Sequence, residues 1–114
     1  MNDFMTRLTA YGANVPEAME RLLDDTELYE SCVTAFMKDA GFAALKNAID
    51  AADYQDAFEQ AHMLKGVAAN LSLTPLLLKI SELVEALRAN NYTALDAQYA
   101  AVMQEQNKLQ MLLQ

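Results

Sequence analysis

Few side chains in this sequence can carry covalent chemistry: among 114 residues there is one histidine, His62, and one cysteine, Cys32. Imidazole is the one side chain that is both nucleophilic and substantially uncharged near neutrality, so His62 is the first candidate. A lone exposed histidine is usually an ordinary surface residue, and its neighbours decide the matter. Lys65 follows within one helical turn, where its ammonium can accompany an anion placed on the imidazole. Gly66 costs roughly 0.5–1 kcal/mol relative to Ala inside a helix, which points to something that needs close approach to the backbone beside His62. Together these fit a phosphoryl group carried on the ring. Structural zinc wants four Cys/His ligands, and one of each is not enough. The three glycines, Gly12, Gly41 and Gly66, are scattered, so no phosphate-cradling loop is present. Cys32 falls on an apolar stripe with Leu28 and Phe36 and reads as an inert core thiol. The acidic runs Asp24-Asp25-Thr26-Glu27 and Asp50 to Asp56 read as charges at helix starts rather than metal ligands.

The elements that must position these residues are helical. The chain is rich in Ala and Leu, and no segment alternates apolar and polar residues as a half-buried strand would. A short helix is expected from Asp3 to Tyr11. A second starts after Asn14, with Pro16 in its first turn, and ends near Leu23. Asp24, Asp25 or Thr26 caps a stretch carrying Leu28, Cys32, Ala35 and Phe36, then Ala44, Leu45, Ala48 and Ile49 beyond a bend at Gly41; it is one kinked helix or two. Asp53 begins the helix that carries His62. Thr74 is expected to cap, and Pro75 to open, a helix with Leu76, Ile80, Leu83 and Leu87 as its stripe, widened by Leu77 and Val84 and ended at Asn90-Asn91. Thr93 is expected to cap the last helix, whose inward residues are Leu95, Tyr99, Val102, Leu109 and Leu112. Short connections then favour an all-α, up-down antiparallel four-helix bundle, residues 24–113, preceded by short N-terminal helices, residues 1–23, in one domain spanning 1–114.

On a helical wheel at about 100° per residue with His62 at zero, Ala57, Ala61, Leu64, Ala68 and Leu71 fall between roughly −100° and −180°. His62 therefore points away from the core. Lys65, Gly66 and Ala69 fall at about −60°, +40° and −20°, on the side of the histidine. Of the seven methionines, Met37 and Met103 read as core gap-fillers, whereas Met63 is placed with Phe58 at the rim of the face around His62.

The segment Ala61-His62-Met63-Leu64-Lys65-Gly66-Val67-Ala68-Ala69-Asn70-Leu71 resembles the signature of the histidine-containing phosphotransfer (HPt) domains of two-component phosphorelays. Glu17 to Arg21, Leu28-Tyr29, Phe36, Ala51-Ala52-Asp53, Leu76 and the Ile80 to Leu87 stripe extend the resemblance over nearly the whole chain. It implies that Nε2 of His62 accepts a phosphoryl group from the aspartyl phosphate of one receiver domain and returns it to another. Lys65 would offset the incoming charge, and Phe58, Glu59, Met63, Gly66 and Ala69 would meet the partner. The partners implied are response-regulator receiver domains and a hybrid histidine kinase. No cofactor belongs to the chain itself; magnesium is expected on the receiver. Two departures stand out. Ser72 occupies a turn position where many members have Gly, and Val84, with Glu85 beside it, stands where many carry Gln or Glu to hold the other imidazole nitrogen. Glu85 or Glu59 is a substitute to consider.

The formal net charge of −8 opposes binding to nucleic acid or to anionic membranes. No stretch approaches the roughly 18 apolar residues of a membrane span. The start lacks the pattern of a signal peptide, so a cytoplasmic protein is expected, monomeric and, from its Met1 start and polar end, independent. Two other functions remain open: a helical adaptor or inhibitor that binds a receiver or kinase without being phosphorylated, and a small receiver phosphatase acting through Asn70 or Gln60.

Overall fold

Side-chain caps set three of the described helix starts in this protein, and left-handed residues close several of the ends. The computed structural model describes residues 3–114; Met1, on which the expectation of an independent protein rests, lies outside the described residues. Seven helices are described: α1 Asp3–Tyr11, α2 Val15–Arg21, α3 Thr26–Met37, α4 Gly41–Asp50, α5 Tyr54–Asn70, α6 Thr74–Arg88 and α7 Leu95–Leu112. Asn14, Asp25 and Asp53 each accept a backbone N–H of the following first turn, from Glu17, Leu28 and Asp56, satisfying donors that a helix start leaves unpaired. The expected threonine caps do not form. Thr74 is itself the first residue of α6, preceded by Leu73, and Ala94 rather than Thr93 precedes α7; neither start has a side-chain cap. The Thr93 hydroxyl donates to Asn91 Oδ1 instead.

The stretch after Asp25 is two helices. Asp39 Oδ1 accepts the Gly41 N–H at 2.6 Å, restarting the chain as α4. A Cβ on Gly41 would lie 2.8 Å from Asp39 Oδ1 and 3.1 Å from Leu64 Cδ2, so glycine lets this restart seat closely against α5. On α3 the stripe sits one position from the expected one: Tyr29, Val33, Phe36 and Met37 are buried, Ala35 is exposed, Leu28 is 45 % exposed and Cys32 half-buried. The Tyr29 hydroxyl explains the rotation, because it reaches the Leu71 carbonyl at 2.7 Å inside the protein.

Helix ends at Ala52, Ser72 and Asn90 adopt left-handed φ values of 56°, 54° and 57°. In each, two backbone N–H groups turn back to the last helical turn, as Ser72 and Leu73 do to Ala69 and Ala68, closing the helix in a Schellman motif. Ser72 therefore keeps the left-handed turn that glycine favours, and its hydroxyl is tied to Glu17 and Arg21 of α2.

Helix α4 packs on α5, α5 on α6 and α6 on α7, while α4 also meets α7, which closes a four-helix bundle. Helix α1 packs on α7, and α2 links α1 to α3. The molecule measures 44 × 24 × 20 Å. Buried side chains from all seven helices join one apolar cluster that includes Leu8, Ala18, Tyr29, Leu45, Leu64, Ile80 and Val102. On α7 Tyr99 and Leu112 are only half-buried. Gln106, a polar residue, takes an inward place, donating to the Met37 carbonyl at 2.8 Å and so satisfying the end of α3.

Candidate phosphoryl-acceptor face

Helix α5 turns small side chains inward. Ala57, Ala61, Leu64 and Ala68 are buried, which lets α4 and α6 approach its axis closely, and the opposite side carries the polar groups. His62 lies on that opposite side, exposed, as the wheel places it. One turn before it, the half-buried Phe58 ring stacks on the imidazole with 5.7 Å between centroids and 25° between planes. Arg88, from the end of α6, sets its guanidinium carbon 5.3 Å from the centre of the Phe58 ring, within range of a cation–π contact. Its Nε lies 3.4 Å from Glu85 Oε1.

Lys65 is half-buried one turn after His62. Six of the eight basic residues form ion pairs with nearby acids on their own helices. Among the described residues Lys65 and Lys38 are left without one. Gly66 is exposed, and a Cβ built there would meet nothing within 4 Å, so nothing inside the protein requires glycine at that position. Ala69 is half-buried and Glu59 exposed on the same helix. Met63 is 57 % exposed and Val67 36 % exposed. These two line a groove of about 230 Å³ with Asp39, Gly41, Gln60 and Leu64. Val67 also borders a neighbouring groove of about 570 Å³ beside Arg21, Cys32, Phe36 and Leu71.

Neither carboxylate considered for holding the second imidazole nitrogen does so. Val84 is wholly buried in the core, Glu85 is engaged by Arg88, and Glu59 points into solvent. Among the described residues no hydrogen bond engages either nitrogen of His62. Sequence reasoning missed Arg88 and Val67. Val67 stands inside the segment Ala61 to Leu71, but the reach of Arg88 from α6 back to Phe58 runs between two packed helices and leaves no trace in spacing along the chain.

The strongest electrostatic perturbation is at Tyr11, where burial first and then the Glu105 carboxylate push the hydroxyl well above its usual value. Hydrogen bonds from Ser72 and then Arg21 hold the Glu17 carboxyl below its usual range. Burial pushes the Tyr29 hydroxyl up to about 12. Among the described residues no cluster of His, Cys, Asp and Glu could hold a metal ion, and no helix is long and apolar enough to cross a membrane.

The Hpt domain family matches residues 15–114. The chain belongs to the Hpt domain family. This Hpt domain has a histidine phosphotransfer role in two-component signalling, as a phosphocarrier whose partners are receiver domains and the kinases that contain them. No curated protein and no solved structure matches the chain. The match begins at α2, so α1 lies upstream of it.

Proposed function

We propose that His62 is the phosphoryl acceptor and that the face of Phe58, Glu59, Met63, Gly66 and Ala69 meets the receiver. In the step, Nε2 attacks the phosphorus of a receiver's aspartyl phosphate. The P–N bond forms as the P–O bond breaks, the electron pair leaves with the aspartyl carboxylate, and Nδ1 keeps its proton. The reverse step hands the group to a second receiver. Lys65 lies beside the ring with no carboxylate to neutralise it, so its charge is available to the incoming phosphoryl oxygens. Magnesium would be supplied by the receiver and would clamp those oxygens; this domain contributes position and a nucleophile.

The observation that carries the reading is that the only histidine stands exposed on a helix face cleared of bulk by Gly66 and Ala69 and furnished with an unpaired cation. Residues 1–114 would act as one cytoplasmic, monomeric unit, with 1–23 as short N-terminal helices and 24–113 as the bundle. The experiment mixes the protein with a receiver domain charged by acetyl phosphate and reads intact mass. The wild type gains one phosphoryl group that is acid-labile and base-stable, and His62→Gln gains none while keeping its helical circular dichroism. Full transfer by His62→Gln would end the assignment. The buried Val84, which leaves Nδ1 unheld, favours a second reading as a receiver-binding adaptor; wild-type protein that binds the charged receiver and gains no mass would establish it.

A further inference from the structure

Attack at phosphorus requires Nε2 to point outward along a fixed line, and an exposed imidazole with neither nitrogen bonded is free to rotate about its side-chain torsions unless something else holds the ring. The position on α6 that could have offered a hydrogen bond is filled by Val84, which is wholly buried. What touches the ring is Phe58. Its plane lies within 25° of the imidazole plane at 5.7 Å, inside the range of offset-stacked aromatic pairs. Phe58 is itself confined. It is half-buried against the core, and Arg88 reaches across from α6 to lie 5.3 Å from its ring centre, with the guanidinium held by Glu85. Below it, the rings of Tyr54 and Tyr92 stack at 3.7 Å and 11°, and Tyr54, Tyr92, Leu87 and Arg88 share a cleft with Phe58.

We infer that Phe58 is a positioning residue for His62: the imidazole takes its pose from the stack on Phe58, which Arg88 braces from α6, in place of a hydrogen bond to Nδ1. The inference rests on His62 being the acceptor and assigns Phe58 a role inside the domain, in addition to its place on the partner's face. Stacking fixes the plane of the ring and leaves Nδ1 to water. Arg88 couples that plane to the end of α6, so a shift of α6 against α5 would tilt the nucleophile.

The test uses the whole chain and two readouts. Protons lying over an aromatic face resonate upfield, so Phe58→Leu, which keeps apolar bulk without the ring, should move the His62 ring-proton resonances downfield toward free imidazole. Phe58→Tyr should hold them near wild type, and Arg88→Gln should move them part of the way. In single-turnover transfer from a receiver domain charged by acetyl phosphate, Phe58→Leu should lower the rate constant at saturating receiver by about tenfold, since small misplacements of a reacting group are costly. The half-saturating receiver concentration is read separately, because rate and binding report different interactions; any rise in it reflects the place of Phe58 on the partner's face, whereas the loss at saturation reflects the pose of the ring. Phe58→Tyr should restore the rate. Ring-proton resonances unchanged in Phe58→Leu would overturn the inference, as would a loss confined to the half-saturating concentration. A wild type that accepts no phosphoryl group, with ring protons that still respond to Phe58→Leu, would refute the acceptor assignment and uphold the stacked pose.

Discussion

Gly66→Ala separates what the fold needs from what a partner needs. In a helix interior glycine is less favourable than alanine by roughly 0.5–1 kcal/mol, through the extra backbone freedom it loses on folding. Gly66 lies inside α5, four residues before its last residue, and a Cβ there meets nothing within 4 Å, so no internal clash offsets the gain. With an unfolding entropy of about 2.1 cal/mol/K per residue, a chain of 114 residues changes stability by about 0.24 kcal/mol for each degree of Tm. The variant should therefore melt about 2–4 °C higher than the wild type. Receiver docking should move the other way. A methyl forced into a close-packed contact costs about 1–3 kcal/mol, which corresponds to roughly 5- to 150-fold weaker binding. Gly66→Gln should weaken it further. Differential scanning calorimetry and titration against a receiver domain read the two effects separately. A stabilised variant that binds as well as the wild type would refute the reasoning that the open space at Gly66 serves a partner. A destabilised variant would refute the account of the helix.

Lys65→Ala should slow transfer about tenfold through lost charge–phosphate attraction, yet change stability by less than about 0.5 kcal/mol, because no ion pair is broken; rapid-quench transfer and urea denaturation check the two. Ala52 is exposed with φ 56°, a strained state for a residue with a Cβ, so Ala52→Gly should stabilise by about 0.5–1 kcal/mol net of glycine's greater unfolded freedom, read as a higher Tm. The Glu17 carboxyl titrates below its usual value of 4.5 because Ser72 and Arg21 bond its charged form. Its stabilising contribution is therefore present above that usual value and lost as pH falls through the lowered one. Glu17→Gln should lower Tm at pH 7, and the difference should shrink as the pH is taken below the usual carboxylate range; a constant difference would show that the charge is immaterial. Tyr29→Phe strands the Leu71 carbonyl inside the protein and should cost about 1–3 kcal/mol in equilibrium denaturation, with helicity retained.

The helix carrying His62 was legible because its pattern is local: Asp53 as a cap, Ala57, Ala61, Leu64 and Ala68 at helical spacing, and a histidine opposite them. Asn14 and Asp25 were legible for the same reason. The errors share a different cause. Cys32 and Leu28 stand at helical spacing from Phe36, but the face α3 buries is decided by the reach of Tyr29 to Leu71, a contact between residues remote in sequence. Thr74 and Thr93 have good capping chemistry, yet each chain segment arrives in a turn that places the threonine elsewhere. Arg88 could not be tied to the site at all, since a guanidinium on one helix and an aromatic ring on the next meet only after the two helices pack. Ser72 is the intermediate case. Its departure from the family's usual glycine is visible in the sequence, but its left-handed φ and its bonds to Glu17 and Arg21 are tertiary facts.

Those bonds also explain how an exposed histidine can be held on a steady base. The first turn of α5 is closed by Asp53. At the other end Arg21 donates to the carbonyls of Ala69 and Asn70, at 3.4 and 2.6 Å, and to the Ser72 hydroxyl, while Tyr29 takes the Leu71 carbonyl. These are groups that the end of a helix leaves unpaired, and a cation there also opposes the helix dipole favourably. Helices α2 and α3 thus grip the last turn of α5, close in sequence to Gly66 and Ala69. Loosening that grip, by Ser72→Ala or Glu17→Gln, acts on a part of the helix that does no chemistry, so its effect on transfer should be far smaller than that of moving the ring itself. On this view the upstream helices serve the phosphoryl group by fixing the platform, whereas the fine aim of the nucleophile is set locally, by Phe58 and the helix behind it.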